Sequence, residues 1–335
     1  MDLPSAGVAS ARARHHYVHV HTSPTRIVFG PLRSRRLGRS LGINNIPPKR
    51  CTYSCIYCQA GTTRRRETTR RAFISVDAIV EATRARIERC RQTGDRIDYL
   101  TIVPSGEPTL DANLGAEVRA VRELGTPVAV ITNASLLTRA DVRADLMAAD
   151  VVSVKVDSIR SPVWKRINRP TSRLHLGAIR EGILEFARGY KGRLLTETMI
   201  VAGINDDVDS MMGLARYLGR VDPDVAYLNA PTRAPATRVE QPADRVMARL
   251  FASLSGHVRS AGLLLPDYPL MLSGSGDPYR DLTATVAVHP LCEESVAKFL
   301  EEWKSDWTIV EDLVGRGELR RQTYGAKVFF VRGHS

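Results

Sequence analysis

Short apolar runs alternate with longer amphipathic ones along most of the chain, and this alternation constrains the fold more than any other feature of the 335 residues. The short runs are Leu41 to Ile46, Ile97 to Val103, Pro127 to Thr132, Val151 to Asp157, Leu194 to Val201 and Val225 to Asn229. Each is rich in Val, Ile, Leu or Thr and reads as a strand. The intervening pattern is clearest from Ser75 to Arg91, where Val76, Ile79, Val80, Thr83, Ile87 and Cys90 recur at helical spacing behind a serine cap. Strand and helix in alternation imply parallel βα units. About six fit between Leu41 and Leu272, fewer than the eight of a closed barrel. The expected fold is therefore α/β, a partial (β/α)6 TIM-like barrel, open, with its ligands at the C-terminal ends of the strands.

The last fifty residues follow another pattern. Val296, Phe299, Leu300 and Trp303 share one helical face, Trp307, Val310, Leu313 and Val314 share a second, and Leu319 to Arg332 reads as a hairpin turning near Tyr324 and Gly325. Two helices and a hairpin predict a small C-terminal winged-helix-like domain over 285–335. It follows a barrel over 26–284 and a His-rich, basic, solvated tail over 1–25 that holds His15, His16, His19 and His21. The segment 285–335 carries seven bases against eight acids. A generic duplex-DNA reader would be more basic, so a docking or substrate-positioning role is expected.

The net charge of +12 is localised: residues 1–71 contain fourteen Lys and Arg against Asp2 and Glu67, and the remainder is balanced. A localised excess of this kind suits a polyanion or an anionic ligand at a site built from that segment. No stretch approaches the ~20 apolar residues of a membrane span, and the N-terminus lacks an apolar leader core, so a cytoplasmic protein is expected. Five cysteines, three of them within eight residues, suggest metal or redox chemistry in a reducing compartment.

Those three, Cys51, Cys55 and Cys58, sit in a loop just after the first strand. Three thiolates can converge on one inorganic centre and leave a fourth position open, whereas structural zinc and ordinary [4Fe–4S] sites use four ligands. Two other readings use the same residues. Three cysteines with a histidine describe a zinc-bearing nucleic-acid-binding winged-helix protein, and Cys55-Ile56-Tyr57-Cys58 has thioredoxin-like spacing, although that motif has no need of Cys51.

The CxxxCxxC loop, with Tyr57 before its last cysteine and a strand before it, resembles the signature of the radical S-adenosylmethionine (SAM) superfamily. The resemblance implies one [4Fe–4S] cluster on Cys51, Cys55 and Cys58, with SAM chelating the remaining iron. It also implies reductive cleavage to a 5′-deoxyadenosyl radical that abstracts hydrogen from a substrate, and an electron donor such as flavodoxin or ferredoxin. In such enzymes the protein's part is to bind, orient and exclude water, so SAM anchors should follow successive strands. Ser105-Gly106-Glu107 resembles the family's glycine-glycine-glutamate motif with Ser105 for the first glycine; alone it would read as an ordinary turn. Thr132-Asn133 resembles a pair found after the third strand in relatives. Ser153, Lys155 and Asp157 share one face of the fourth. Lys155 needs an anion, either the SAM carboxylate or Asp157. Glu197 and Thr198 are candidate ribose partners, or merely polar edge residues.

Gly30-Pro31 through Ser34 to Asn44, then Lys165 to Pro170, Glu197 to Met199 with Gly203 to Asp206, and Asn229 to Pro235, are similar to the Fe–S oxidoreductase branch related to wybutosine-synthesising tRNA enzymes. Those carry further upstream cysteines for a second cluster, and none precedes Cys51 here. Cys90 and Cys292 read as structural. The run Arg64, Arg65, Arg66, Arg70 and Arg71 is either a solvated connector or a set of phosphate contacts for an RNA, nucleotide or other anionic substrate.

Overall fold

In a computed structural model of the chain, residues 27–63, 65–264 and 276–333 are described. The expected tail and Arg64 lie outside them. β1 (Val28–Ser34) is antiparallel to β2 (Gly38–Ile43). From β2 onward the pairing is parallel through β3 (Tyr99–Ile102), β4 (Val128–Thr132), β5 (Val151–Lys155), β6 (Arg193–Met199), β7 (Val225–Asn229) and β8 (Ala261–Leu264). The strands neighbour one another in chain order in one open sheet of eight, the half-barrel form of an α/β TIM-like fold. The six anticipated strands are β2 to β7. β1 was missed because Gly30-Pro31 breaks its apolar run, and its register shifts between Phe29 and Leu32. β8 is a four-residue, largely half-buried edge strand, too short to stand out from its surroundings.

Helices α1 (Val76–Thr93), α2 (Leu114–Arg122), α3 (Ala140–Leu146), α4 (Ser161–Asn168), α5 (Leu176–Gly189), α6 (Val208–Val221) and α7 (Asp244–Ser255) connect the parallel strands. α1 shows how sequence sets their ends. Ser75 accepts the Ala78 N–H at its start, and Gly94 at φ 74° closes it, a left-handed position that glycine adopts without strain. Its buried stripe of Ile79, Thr83, Ile87 and Cys90 joins the main core, where Leu41, Ile102, Val130, Val152 and Leu228 cover the helix-facing side of the sheet. On the concave side Ala129, Val151 and Leu195 form a second, smaller cluster. Burial on both faces is why these strands read as near-continuous apolar runs.

Leu37, in the β1–β2 turn, packs into that concave cluster. Its neighbours reach further: Arg36 pairs with Glu197 on β6, and Arg35 Nη1 donates to Asn229 Oδ1 on β7 (3.3 Å) and to the Leu264 carbonyl on β8 (2.8 Å). One hairpin at the edge of the sheet is thus fastened to the far strands of its open side.

The C-terminal segment runs α8 (Pro278–Val286), β9 (Leu291–Cys292), α9 (Glu293–Glu302), α10 (Thr308–Gly315), β10 (Leu319–Tyr324) and β11 (Lys327–Arg332), with strand order β10-β11-β9. Leu282, Val296, Phe299, Val310, Leu313 and Phe330 form its core, which Phe29 and Leu32 of β1 enter. Cys292 caps α9 and contacts Ser295. No helix among the described residues is long and apolar enough to cross a membrane.

Candidate functional site

Beyond β2 the chain forms the cysteine loop, which backbone hydrogen bonds tie to three other parts of the fold. Lys49 N–H bonds the Ser105 carbonyl (3.2 Å) and Glu107 N–H the Arg50 carbonyl (2.9 Å). Ser54 and Ile56 donate to the carbonyls of Asn168 and Ile167 at the end of α4 (3.0 and 2.9 Å), and Thr237 donates to Ile56 (3.0 Å). Glycine is required at 106 because a Cβ there would stand 1.9 Å from the Arg50 carbonyl oxygen. Ile56 packs with Ile167, Met199, Val201 and Val239, so the loop is held by apolar contact as well.

The three thiols and the strand ends line one cavity of about 320 Å³. Several donors point at the sulfurs: Tyr53 N–H and Asn133 Nδ2 to Cys51 (3.4 and 3.5 Å), Asn168 Nδ2 to Cys55 (3.4 Å) and Lys49 Nζ to Cys58 (3.5 Å). Donors around sulfur favour thiolates and tune an iron–sulfur centre. Protein alone does not ionise Cys51 and Cys55. Burial pushes the Cys51 thiol up to about 12, with the Glu107 charge adding, and burial with the Asp157 charge raises Cys55 further. Only a bound metal centre would hold them deprotonated.

Glu107 is a hub rather than a free ligand. One carboxylate oxygen accepts from Thr109 N and Oγ1 (3.2 and 2.6 Å) and from Thr132 Oγ1 (2.5 Å); the other accepts from Asn133 N (2.7 Å). It locks the end of β3 to the end of β4, although burial still raises its carboxyl above the ordinary range. Asn133, oriented by that bond, reaches Cys51 and Thr52 Oγ1 (2.8 Å).

The protein anion that Lys155 takes is Glu197 rather than Asp157. Its Nζ lies 2.9 Å from Glu197 Oε1 and 5.0 Å from the centre of the Tyr57 ring. Asp157 instead accepts from Tyr57 OH, from Asn168 Nδ2 (2.6 Å) and from Met199 N–H (2.9 Å), bracing the cysteine loop from below. Glu197 also holds Arg36 and Asn229 Nδ2 (3.0 Å). Burial pulls the Lys155 ammonium below its ordinary value, against the raising effect of the Asp157 charge.

Of the residues singled out from sequence, Ser105, Gly106, Glu107, Thr132, Asn133, Lys155 and Glu197 line the cavity with the cysteines. Ser153, Asp157 and Thr198 do not. Ser153 lies one pleat deeper than Lys155, buried with its hydroxyl unpartnered, and Thr198 faces away and donates to the Val156 carbonyl (2.8 Å). Lys49, Arg35, Arg36, Gln59, Asn229, Arg233 and His289 line the cavity without having been assigned a role. Arg35, Arg36, Asn229 and Arg233 lie in the family-like segments, which was the available signal. His289 had none.

The family model described as "Radical SAM superfamily" matches residues 45–217. The chain belongs to the radical SAM superfamily. A UPF0026 protein of Methanocaldococcus jannaschii is 38% identical over 314 residues, covering 91% of this chain and 96% of that one. A UPF0026 protein of Synechocystis is 35% identical over 208 residues, 62% of this chain and 76% of the other. Among solved structures, one described as TYW1 with a lysine-pyruvate adduct bound has a TM-score of 0.52 at 17% identity, covering 66% of this chain and 74% of that one. A radical SAM methyltransferase from Sphaerobacter thermophilus gives 0.51, also at 17%, covering 67% and 65%. These two share the fold.

As a radical SAM enzyme the protein uses a [4Fe–4S] cluster and SAM, and the donor set fits them. Among the described residues no three His, Cys, Asp or Glu side chains gather around a single metal ion. A zinc site requires that gathering; a [4Fe–4S] cluster does not, because each thiolate takes a different iron.

Proposed function

We propose that this radical SAM enzyme abstracts hydrogen from a small anionic substrate or a single nucleotide held in the cavity beneath its cysteine loop. The observation that carries the reading is the set of donors from Lys49, Tyr53, Asn133 and Asn168 converging on the three cysteine sulfurs at the wall of the cavity. Cys51, Cys55 and Cys58 would hold the cluster, which with SAM supplies the 5′-deoxyadenosyl radical. The backbone at Ser105-Gly106, tied to the chain before Cys51, and the amide of Asn133 would orient SAM, with Lys155 and Glu197 on the opposite wall. Glu107 acts through its neighbours by fixing two strand ends, and flavodoxin or ferredoxin is the proposed electron donor.

We read the segment from α8 to β11 as a winged-helix-like domain that positions substrate rather than binding duplex nucleic acid; its strand order β10-β11-β9 after three helices supports that reading. Support comes from Val288 and His289, which line the cavity, and from Gln59 Nε2, which donates to the Val288 carbonyl (3.2 Å). Anaerobic reconstitution with iron and sulfide, then dithionite and SAM, should release 5′-deoxyadenosine, and Cys51→Ala should abolish both cluster and product. A cluster-replete sample that yields no 5′-deoxyadenosine would overturn the proposal.

A further inference from the structure

Beside the cysteine loop, away from the cavity, stand five exposed cations that no carboxylate neutralises. Arg65 and Arg66 follow the loop, and Arg66 Nη1 donates to the carbonyls of Arg169 and Pro170 just past α4 (2.9 and 3.2 Å). Lys165, one turn before Arg169, and Arg173, in the turn that leads to α5, extend the group. None of the five forms an ion pair among the described residues. The nearest acids in the chain are engaged elsewhere: Glu67 is held by Arg50 and Arg71 (2.8 and 2.7 Å). Arg166 is left out of the group, because its Nη1 turns to the Gly203 carbonyl (3.4 Å), beside Asp206 and Asp207. The residues outside the described set contain only Asp2 and Asp267 as acidic side chains, too few to balance the five.

Their position is as telling as their charge. None of the five lines the cavity, yet all lie against backbone that touches the thiols. Arg66 pairs with Cys51 in an isolated β-bridge. Ser54 N–H bonds the carbonyls of Asn168 and Arg169 (3.0 and 3.3 Å), and Asn168 Nδ2 lies 3.4 Å from Cys55 Sγ. A partner seated on these cations would therefore stand close to the cluster site without occupying the cavity. That suits delivery of electrons, whose transfer falls steeply with separation. It does not suit an RNA substrate, whose reacting atoms must enter the cavity.

We infer that Arg65, Arg66, Lys165, Arg169 and Arg173 form the docking surface for an acidic one-electron carrier protein that reduces the cluster. This rests on the proposed function and deepens it by locating the donor. One electron leaves the reduced carrier, which is oxidised by one step, and enters the cluster, which is reduced by one; no atom is transferred. Exposed complementary charges speed encounter more than they tighten the complex, and such complexes are small and short-lived. A carrier that must depart after each electron needs that combination.

The test follows bleaching of the cluster's visible absorbance in rapid mixing of the cluster-loaded protein with reduced flavodoxin, reduced ferredoxin or dithionite. At least one carrier should reduce the parent, at a rate that falls about tenfold between about 50 and 300 mM salt. Combining Arg65→Glu, Lys165→Glu and Arg173→Glu should slow that carrier tenfold or more and flatten the salt dependence. Dithionite, too small to need a docking face, should reduce parent and variant within about twofold of each other. Arg220→Glu, an exposed reversal at the far end of α6, should leave every rate unchanged. If the triple variant loads no cluster, Arg173→Glu alone carries the test, with about a threefold loss expected. Carrier rates equal in variant and parent overturn the inference, as does failure of both carriers to reduce the parent. Equal carrier rates with loss of tRNA binding at low salt would give the face to nucleic acid instead. Release of 5′-deoxyadenosine with dithionite separates the two failures. A protein that cleaves SAM but treats both proteins' charges alike loses only the docking surface, and one whose reduced cluster never cleaves SAM loses the proposed function.

Discussion

Two groups of arginines flank the cysteine loop, alike in composition and unlike in what they face. Arg35 and Arg36, in the β1–β2 turn, cross the open side of the sheet and end at the cavity, on Asn229, Leu264 and Glu197. The later run turns toward the fold itself. Arg70 is almost fully buried and spans Asp141 Oδ2 (2.8 Å), Asp145, the Thr109 carbonyl (2.9 Å) and the Asp111 carbonyl (2.7 Å). Arg71 and Arg50 pair with Glu67 (2.7 and 2.8 Å) and both lie over the Phe73 ring. Proximity in sequence to the reactive cysteines thus says little about which cations serve the ligand. What decides is whether acids and carbonyls of the scaffold stand within reach.

The sharpest test of that contrast is a pair of substitutions. Arg70→Met strips Asp145 and two carbonyls of a partner, while half-exposed Asp141 keeps Arg139, so a loss of about 2–3 kcal/mol is expected in chemical denaturation. Cluster content per folded molecule should be unchanged. Arg36→Met, which leaves Glu197 with Lys155 and Asn229, should cost about 1–2 kcal/mol while reducing SAM cleavage at least tenfold. If Arg70→Met instead costs less than about 1 kcal/mol, the bracing role of the later run is wrong.

The sequence revealed different layers of the structure with different clarity. Six parallel strands were legible because strands covered on both faces must be apolar throughout, and the cysteine loop because its chemistry depends on residue type and spacing. The charge of Lys155 within an apolar strand calls for an anion and Asp157, two residues on, is the visible candidate, while Glu197 is its partner only through the β5–β6 register. His289 was illegible for the same reason at longer range: nothing near it in the chain signals a cavity, and only the docking of the C-terminal core on Phe29 and Leu32 accompanies its arrival at the cavity wall. Arg70 looked like an exposed charge because its acceptors lie about forty to seventy-five residues away.

A pH dependence probes the scaffold side of the comparison. Burial raises the Asp111 carboxyl from 3.8 to about 6, opposed by bonds from Asn113 N–H and by the nearby Arg70 charge. Buried Glu117 beside it is raised as well, by burial and then by the Asp111 charge. A carboxyl that holds its proton more tightly folded than unfolded stabilises the fold below the unfolded value and loses that contribution as pH rises through the folded one. Stability should therefore fall between pH 4 and 6 with a slope of up to about 1.4 kcal/mol per pH unit, and Asp111→Asn should flatten it. A slope unchanged by Asp111→Asn would mean that the charge near Arg70 is not what titrates.

The smallest effect belongs to Arg66, and it separates the two arginine groups most cleanly because the side chain is exposed. Its Nη1 donates to the carbonyls of Arg169 and Pro170 (2.9 and 3.2 Å), just past the end of α4, where Arg169 adopts a left-handed conformation at φ 44°. Exposed bonds to carbonyls contribute little, so Arg66→Ala should cost about 0.5 kcal/mol and lower the melting temperature by about 1–2 °C. The informative readout is dithionite-driven release of 5′-deoxyadenosine, measured as for Arg36→Met. Arg66 is directed at backbone that carries the Asn168 amide to Cys55, not at the cavity, so SAM cleavage should stay within about twofold of the parent. A tenfold loss would place Arg66 among the substrate's own contacts and would dissolve the distinction between cations that face the ligand and cations that hold the loop above it.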